Sequence, residues 1–513
     1  MMKVLYFASE CKPYSKAGGV GDVAGELPAA IKAEGVDIEV VTPCYGQIHE
    51  GLYPGSEPEK IMEYIVEFHG AREHVDILSA DLKGVAVNFV KNTTYFETDY
   101  SSGTTRGPFE HPFLFRKDYS RIYVNSEEIP FYDDVLRFSF FCEACIPLIE
   151  QKNPDIVHVN DWMLGFLMAR MTIRGMPQKR VLTVHNMGYQ GNIGRDTIQG
   201  WGIQQIADHE LTAPLFTDPR LEWNCVNPLR LSMELAHRTN TVSPTYKKEI
   251  MQPEDHSRYF EGGLGLHEVA GHLNNQGRLH GILNGYAYQF APDDALFKSV
   301  LQDKQRAKES LVKSFSDPND LLVGFVGRAV EQKFKLLTEE LDGQSVLEHI
   351  LDIPGVNVVI LATGLERYEN FLKTLADRPN FTAVIAFDAA IARHITLGSD
   401  LFLMPSLFEP CGITQMESLS WATPPLVRWT GGLVDTVRPH VEPLGTGFGF
   451  DGSTGKEVLS NQLKAVHDAL HLYKDNKERF LDLQRNGFNE RFLWSASAKE
   501  YIEKLYEPSM REN

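Results

Sequence analysis

Ser399-Asp400-Leu401-Phe402-Leu403-Met404-Pro405-Ser406 runs directly into Leu407-Phe408-Glu409-Pro410-Cys411-Gly412-Ile413-Thr414-Gln415-Met416-Glu417. The apolar run has the length and composition of a buried strand and ends at Pro405. A turn containing proline, cysteine and glycine then leads into a helical pattern starting near Gly412, so Glu409 sits in the turn and Glu417 within the helix. Open α/β sheets bind ligands at the carboxyl ends of their strands, where Glu409 falls. The next loop, Thr423-Pro424-Pro425-Leu426-Val427-Arg428-Trp429-Thr430-Gly431-Gly432-Leu433, carries two glycines ahead of a helix beginning near Leu433. Exposed amides there suit an anion such as a diphosphate.

The turn, the eight-residue spacing of the two glutamates and the segment Thr430-Gly431-Gly432-Leu433-Val434-Asp435-Thr436-Val437 resemble the bacterial glycogen synthases and plant starch synthases. That family consists of retaining glucosyltransferases that use a sugar nucleotide. The resemblance implies an α/β chain with two Rossmann-like domains of the GT-B type facing each other across a catalytic cleft. It implies that Glu409 binds the donor glucose hydroxyls and stabilises positive character at the reacting carbon. Glu417 would hold the nucleotide ribose, and Thr430, Gly431 and Gly432 would line the donor.

The totals agree with this frame. A chain of 513 residues exceeds one compact core, and 43% hydrophobic with 23% charged residues is the composition of a soluble globular protein. Strand-like Lys3-Val4-Leu5-Tyr6-Phe7-Ala8 begins almost at once, with no leader pattern and no apolar segment of membrane-spanning length, so a cytoplasmic location is expected. The formal charge of -19 disfavours nucleic-acid and anionic-membrane partners and would not repel a neutral glucan. Cys11, Cys44, Cys142, Cys145, Cys225 and Cys411 are scattered, which suggests buried thiols rather than a zinc site or a disulfide framework.

After the first strand comes Lys12-Pro13-Tyr14-Ser15-Lys16-Ala17-Gly18-Gly19-Val20-Gly21-Asp22, leading into a helix over Val20 to Ile31. Its glycines are not spaced as in the dinucleotide fingerprint, and by themselves they fit a ligand loop or a structural turn equally well. The segment resembles the family's lysine-any-glycine-glycine loop, which implies that Lys16, Gly18, Gly19 and Asp22 face the donor nucleotide. Asp37 to Thr42 reads as the next strand. The signal between Tyr53 and Ser120 is weak, with a polar, loop-like segment from Thr98 to Gly107. A helix with an aromatic face starts at Tyr132-Asp133-Asp134.

Two further strands, Pro154 to Trp162 and Arg180 to Asn186, end in polar residues. Polar clusters at parallel strand ends point to a site. His158 lies inside its strand and reads as structural, whereas His185 is the site candidate. The family carries aspartate-tryptophan-histidine and histidine-asparagine at these places, so Asp161 and His185 become catalytic candidates by resemblance. The main-chain carbonyl of His185 would face the reacting carbon. Met163 stands where the first histidine is expected, a change that would alter acceptor binding. Tyr286-Ala287 and Asn227-Pro228-Leu229-Arg230 also depart from the family pattern.

The acidic stretch Pro292 to Lys298 reads as a crossing between domains, giving 1–292 and 293–490. The resemblance implies that the first binds the acceptor and the second the nucleotide sugar, and that a terminal helix in 491–513 returns to the first domain. Leu321 to Val326 is a near-continuous apolar strand running into Gly327-Arg328-Ala329-Val330-Glu331-Gln332-Lys333. A solvated basic pair is the plain alternative, but Arg328 abuts a buried strand. The resemblance assigns Arg328 and Lys333 to the donor diphosphate, whose growing charge they would neutralise. Phe334 replaces the glycine that usually follows the lysine.

Glu409 and Glu417 invite comparison with a glycosidase pair. Eight helical residues would separate them by about 12 Å, too far for a retaining pair and beyond the inverting range. Transfer is therefore the better reading; the resemblance implies ADP-glucose or UDP-glucose as the donor and an α-glucan as the acceptor, and no metal is implied. Leu407 stands where the family usually has arginine, leaving compensation by Arg428 or an altered donor preference as the alternatives. A transferase with a small or unusual acceptor and a catalytically weak glucan-binding homologue are the rival functions.

Overall fold

The computed structural model describes residues 1–49, 51, 57–97, 134–312, 317 and 319–512. The polar segment 98–107 and the helix start at 132–133 lie outside the described residues. The chain divides into two compact units: Met1–Pro253 with Gly263–Gly285 and Leu493–Asn513, and Glu254–Gly262 with Tyr286–Phe492.

In the first unit the strands are β1 (Lys3–Phe7), β2 (Asp37–Pro43), β3 (Glu59–Phe68), β4 (Ala71–Leu82), β5 (Val85–Lys91), β6 (Ile156–Asn160), β7 (Lys179–Val184), a short antiparallel pair β8 (Ile193–Gly194) and β9 (Cys225–Val226), then β10 (Arg238–Thr241) and β11 (Leu279–Gly281). Among the described residues they form a nine-stranded sheet in the order β11-β10-β7-β6-β1-β2-β5-β4-β3. It is parallel from β11 to β5 and antiparallel across β5, β4 and β3. The chain leaves β1 on one side for β2 and later returns to its other side at β6, so the topological switch lies between β1 and β6.

Successive β1 side chains enter different cores, as the period of two requires. Val4 and Tyr6 pack with the helix Gly19–Ala33 and with Trp494, Tyr501 and Tyr506 of the terminal segment. Leu5 and Phe7 pack with the helix Asp134–Lys152 and with Phe166 and Leu167. Burial on both faces explains why the parallel strands read as continuous apolar runs. The β3–β4 ribbon gave no such signal because much of it is exposed, with charged Glu59, Lys60, Glu63 and Glu67 along β3.

The second unit contains β12 (Leu321–Ala329), the hairpin β13 (Glu340–Leu341) and β14 (Gln344–Ser345), β15 (Val356–Gly364), β16 (Phe381–Val384), β17 (Leu401–Met404), β18 (Pro425–Arg428) and β19 (Phe448–Phe450). Its six-stranded sheet, β16-β15-β12-β17-β18-β19, is parallel throughout, with the switch between β12 and β17. Both units are thus Rossmann-like. The helix expected near Gly412 begins at Thr414, and the one expected near Leu433 spans only Gly432–Thr436. The strand read as Phe381 to Phe387 stops at Val384. No helix among the described residues is long and apolar enough to cross a membrane.

Candidate functional site

At the switch of the first sheet, Asn160 ends β6 and is fully buried. Its side-chain oxygen accepts from the Tyr6 hydroxyl at 3.0 Å and its amide donates to the Phe7 carbonyl at 2.8 Å, tying the ends of β6 and β1 together. The same oxygen lies 2.8 Å from His185 Nε2 just past β7. Because an amide oxygen only accepts, Nε2 carries the proton and the ring's orientation is set. Burial lowers the His185 imidazole to about 3, so the ring is neutral near pH 7.

Asp161 follows at φ +58° and ψ −174°, a region almost confined to glycine. Its carboxylate accepts from the His185 amide at 2.7 Å and from the Asn186 amide, which holds the backbone in this conformation. Burial pushes the Asp161 carboxyl up to about 7, against the opposing effect of those amides. The neighbouring Trp162 ring lies against Gly191, where a Cβ would come within 2.2 Å of the indole. Met163 is buried in the apolar core, so the departure from histidine changes packing there.

His158 is 2.8 Å from both the Tyr506 hydroxyl and the Thr183 hydroxyl, within the core. Thr183 donates onward to Asn240 at 2.7 Å, and Asn240 donates to Tyr501 at 3.1 Å. Tyr501 and Tyr506 belong to the terminal segment, so this buried chain of hydrogen bonds fastens that segment to the sheet.

The loop after β1 carries Lys16, whose ammonium is 2.6 Å from Asp22, while Lys12 lies 3.2 Å from the same carboxylate. Its glycines serve different needs. A Cβ on Gly25 would meet the Lys12 carbonyl at 2.5 Å, so Gly25 permits close packing of loop on helix. Gly19 has nothing within 4 Å of its Cβ position.

At the switch of the second sheet, Arg328 sits near the end of β12 and is exposed. Lys333 lies in the first turn of the following helix, Glu331–Thr338. Its ammonium pairs with the Glu409 carboxylate and lies 3.3 Å from the Ser406 hydroxyl, which donates to Glu409 at 3.1 Å. Glu409 is 8% exposed, so its charge is held by a cation and a hydroxyl rather than by water. Phe334 is fully buried against Phe325 and Tyr368, which explains how a large residue occupies the place of the expected glycine.

Gly431, at φ +47° and ψ −134°, allows the next loop to reach the turn. A Cβ there would be 2.0 Å from the Glu409 carbonyl, and one on Gly432 would be 2.2 Å from the Cys411 carbonyl. The Gly432 amide donates to the Glu409 carbonyl at 2.9 Å, so that amide is engaged within the protein. Thr430 is buried and holds the entry to this short helix by accepting from the Leu433 amide at 3.1 Å. Glu417 lies half-buried on the helix Thr414–Ser420.

Arg428 is 2% exposed and donates to the carbonyls of Leu407, Tyr259 and Arg258 at 2.7 to 2.8 Å. It braces the turn from inside and does not present its charge in place of the arginine missing at Leu407. The geometry therefore brings together Asn160, Asp161 and His185 in one unit, and Lys333, Ser406, Glu409, Gly431 and Gly432 in the other. Asn160 and Ser406 lay in stretches marked as important, but neither was singled out. Their signal was a small polar residue where a buried strand ends.

Comparison with known proteins bears on this arrangement. Residues 3–271 match the family model for the starch synthase catalytic domain. The glycogen synthase of Exiguobacterium sibiricum is 33% identical, with 98% of each chain covered. That of Thermotoga petrophila is 32% identical, with 99% of each chain covered. The solved catalytic domain of starch synthase IV from Arabidopsis thaliana, bound to ADP and acarbose, is similar at a TM-score of 0.77 and 25% identity, covering all of both chains. Sucrose-phosphate synthase from Thermosynechococcus elongatus, at a TM-score of 0.55 and 14% identity, shares the fold with 99% of each chain covered. By its sequence over nearly the full length and by its two Rossmann-like domains, this chain belongs to the glycogen and starch synthase family of GT-B glycosyltransferases.

Proposed function

We propose that the protein transfers glucose from ADP-glucose, with UDP-glucose as the alternative donor, to the non-reducing end of an α-1,4-glucan with retention of configuration. The observation that carries this reading is the Lys333–Glu409 pair with Ser406 at the switch of a parallel sheet, in a chain of this family. The solved relative bound to ADP favours the adenine nucleotide, and its acarbose favours a glucan-like acceptor.

In the second unit, Arg328 and Lys333 hold the diphosphate and neutralise its charge as the bond to the sugar breaks. Glu409 binds the glucose hydroxyls and supports positive character at the reacting carbon. Glu417 holds the ribose, with Thr430, Gly431 and Gly432 shaping the donor loop. In the first unit, Lys16, Gly18, Gly19 and Asp22 serve the nucleotide, while Asp161 and His185 serve the sugar. A neutral His185 acts through its carbonyl and a fixed ring rather than as a proton donor.

The acceptor 4-hydroxyl oxygen attacks the carbon from the face that the phosphate leaves. The bonding electron pair departs with the diphosphate, whose oxygen takes the hydroxyl proton. Burial of Met163 removes that residue as a reason to favour a small acceptor.

The test incubates the protein with ADP-glucose or UDP-glucose, with and without glycogen, and measures both nucleotide release and glucose incorporation. Glycogen-dependent ADP release matched by incorporation is expected. Release matched by transfer only to a small sugar, or glycogen binding with no release from either donor, would reject polymer synthesis.

A further inference from the structure

Glu10 is an acidic residue with no exposure to solvent, and neither its position nor its type was marked by the sequence pattern. It lies just past the end of β1, and its carboxylate turns toward the loop that carries Lys16. One oxygen accepts from the Ala17 amide, both lie 3.1 Å from the Gly18 nitrogen, and the Gly21 amide also donates to the carboxylate. A charged acceptor makes these the stronger kind of hydrogen bond.

The helix Gly19–Ala33 has Gly18 at its N-cap, and Gly18 has no side chain with which to cap the first amides. Glu10 supplies that acceptor from eight residues upstream. The fit is close: a Cβ on Gly18 would lie 3.3 Å from Glu10 Oε1, and one on Gly21 would lie 3.3 Å from its carboxyl carbon. Burial raises the Glu10 carboxyl, and hydrogen bonds from the three amides oppose that rise by favouring its charged form.

We infer that Glu10 is a positioning residue for donor binding: its carboxylate anchors the Ala17 and Gly18 amides from beneath and so fixes the shape in which Lys16 and Gly19 meet the sugar nucleotide. It does not touch the reacting atoms. A cap alone would stabilise the helix; an anchor placed under Lys16 also sets how the ammonium is presented. The inference rests on the reading of Lys16-Ala17-Gly18-Gly19 as part of the donor site.

The experiment compares the full-length protein with Glu10→Gln, Gly18→Ala and Lys16→Ala. It measures kcat, the KM for ADP-glucose, the KM for glycogen and the melting temperature. Glu10→Gln keeps size and one acceptor oxygen but removes the charge. It is expected to raise the donor KM about tenfold, with the glycogen KM changed by less than about twofold. Gly18→Ala presses on the same contact from the loop side and is expected to raise the donor KM in the same selective way.

A melting temperature that falls while both KM values stay within twofold would overturn the inference and leave Glu10 as a cap only. Equal rises in both KM values would overturn it as well. If Glu10→Gln does not fold, the Gly18→Ala result decides by the same criterion. Lys16→Ala separates the two levels. If it leaves the donor KM unchanged, the donor-loop reading itself fails; if it raises the donor KM while neither other variant does, the anchoring role of Glu10 alone fails.

Discussion

The polar edge of the first sheet and the charged edge of the second occupy the same place in their folds, beyond the strand ends at a topological switch, and are built from different chemistry. In the first, Asn160 fixes a neutral His185 and Asp161 fixes two backbone amides, so orientation is set by buried hydrogen bonds. In the second, a lysine and a glutamate hold one another as an ion pair, and Arg328 is exposed near the end of β12. Under the proposed function, the contrast suits a division in which one sheet orients a neutral sugar and the other manages a leaving diphosphate. Repeating one architecture does not require repeating its chemistry.

The largest expected effect removes the charge from the second edge. Lys333→Met retains the alkyl stem and is expected to lower kcat about 10²- to 10³-fold. It also leaves the Glu409 carboxylate without its cation, so the melting temperature should drop. Adding Glu409→Gln should recover stability without recovering rate, a double-mutant cycle that separates the two roles. Full recovery of rate would dissolve the contrast between the edges.

Next comes the loop that shapes that edge. Gly431→Ala directs a methyl group at the Glu409 carbonyl, 2.0 Å away, from a backbone conformation that L residues avoid. A loss of about 10²-fold in kcat/KM is expected by analogy with other displaced catalytic groups, and steady-state kinetics would check it. Near-normal activity would mean that the position of Glu409 matters less than its charge.

The first edge should reveal itself through pH. The Asp161 carboxyl is raised to about 7 in the fold, above an unfolded value of about 3.9. Its stabilising contribution is therefore fully present below about pH 4 and is lost as pH rises through 7. Asp161→Asn should flatten that slope, seen as a smaller difference in melting temperature between pH 5 and pH 8. An unchanged difference would mean that Asp161 is ionised across this range.

The smallest effect is expected at Gly19, whose Cβ position is open and which begins the helix Gly19–Ala33. Gly19→Ala should leave stability within about 1 kcal/mol, on the stabilising side, as read by chemical denaturation. Set beside Gly431→Ala, this sharpens the comparison of the two glycine loops. In the second loop glycine is required by protein–protein contact within the fold, whereas at Gly19 no protein atom demands it.

Much of the architecture was legible because parallel strands buried on both faces leave uninterrupted apolar runs, as in β6, β7, β12 and β17. The β3–β4 ribbon was not, since its exposed positions interrupt the apolar signal with charge. Helix starts were displaced by a residue or two at Thr414 and Gly432, where the turn geometry sets the boundary. Lys333 and Glu409 were legible as candidates, and the fold brings them into contact across 76 residues of sequence. Arg428 was read as a possible substitute charge, yet it is buried on three carbonyls, because a lone arginine beside a strand looks the same in sequence whether it faces solvent or backbone.

By itself the sequence determined where the buried parallel strands lie and which strand ends carry polar residues, both of which follow from local patterns within a few positions. That these strands make two Rossmann-like domains was what the family resemblance implied. Only the tertiary structure decided that Glu10 anchors the Lys16 loop, that Asn160 sets the proton on His185, that Met163 is core, and which glycines are demanded by backbone contact. Each of these depends on strand order and register, which bring together groups far apart in the chain, and on burial, which determines whether a polar group meets water or a single fixed partner.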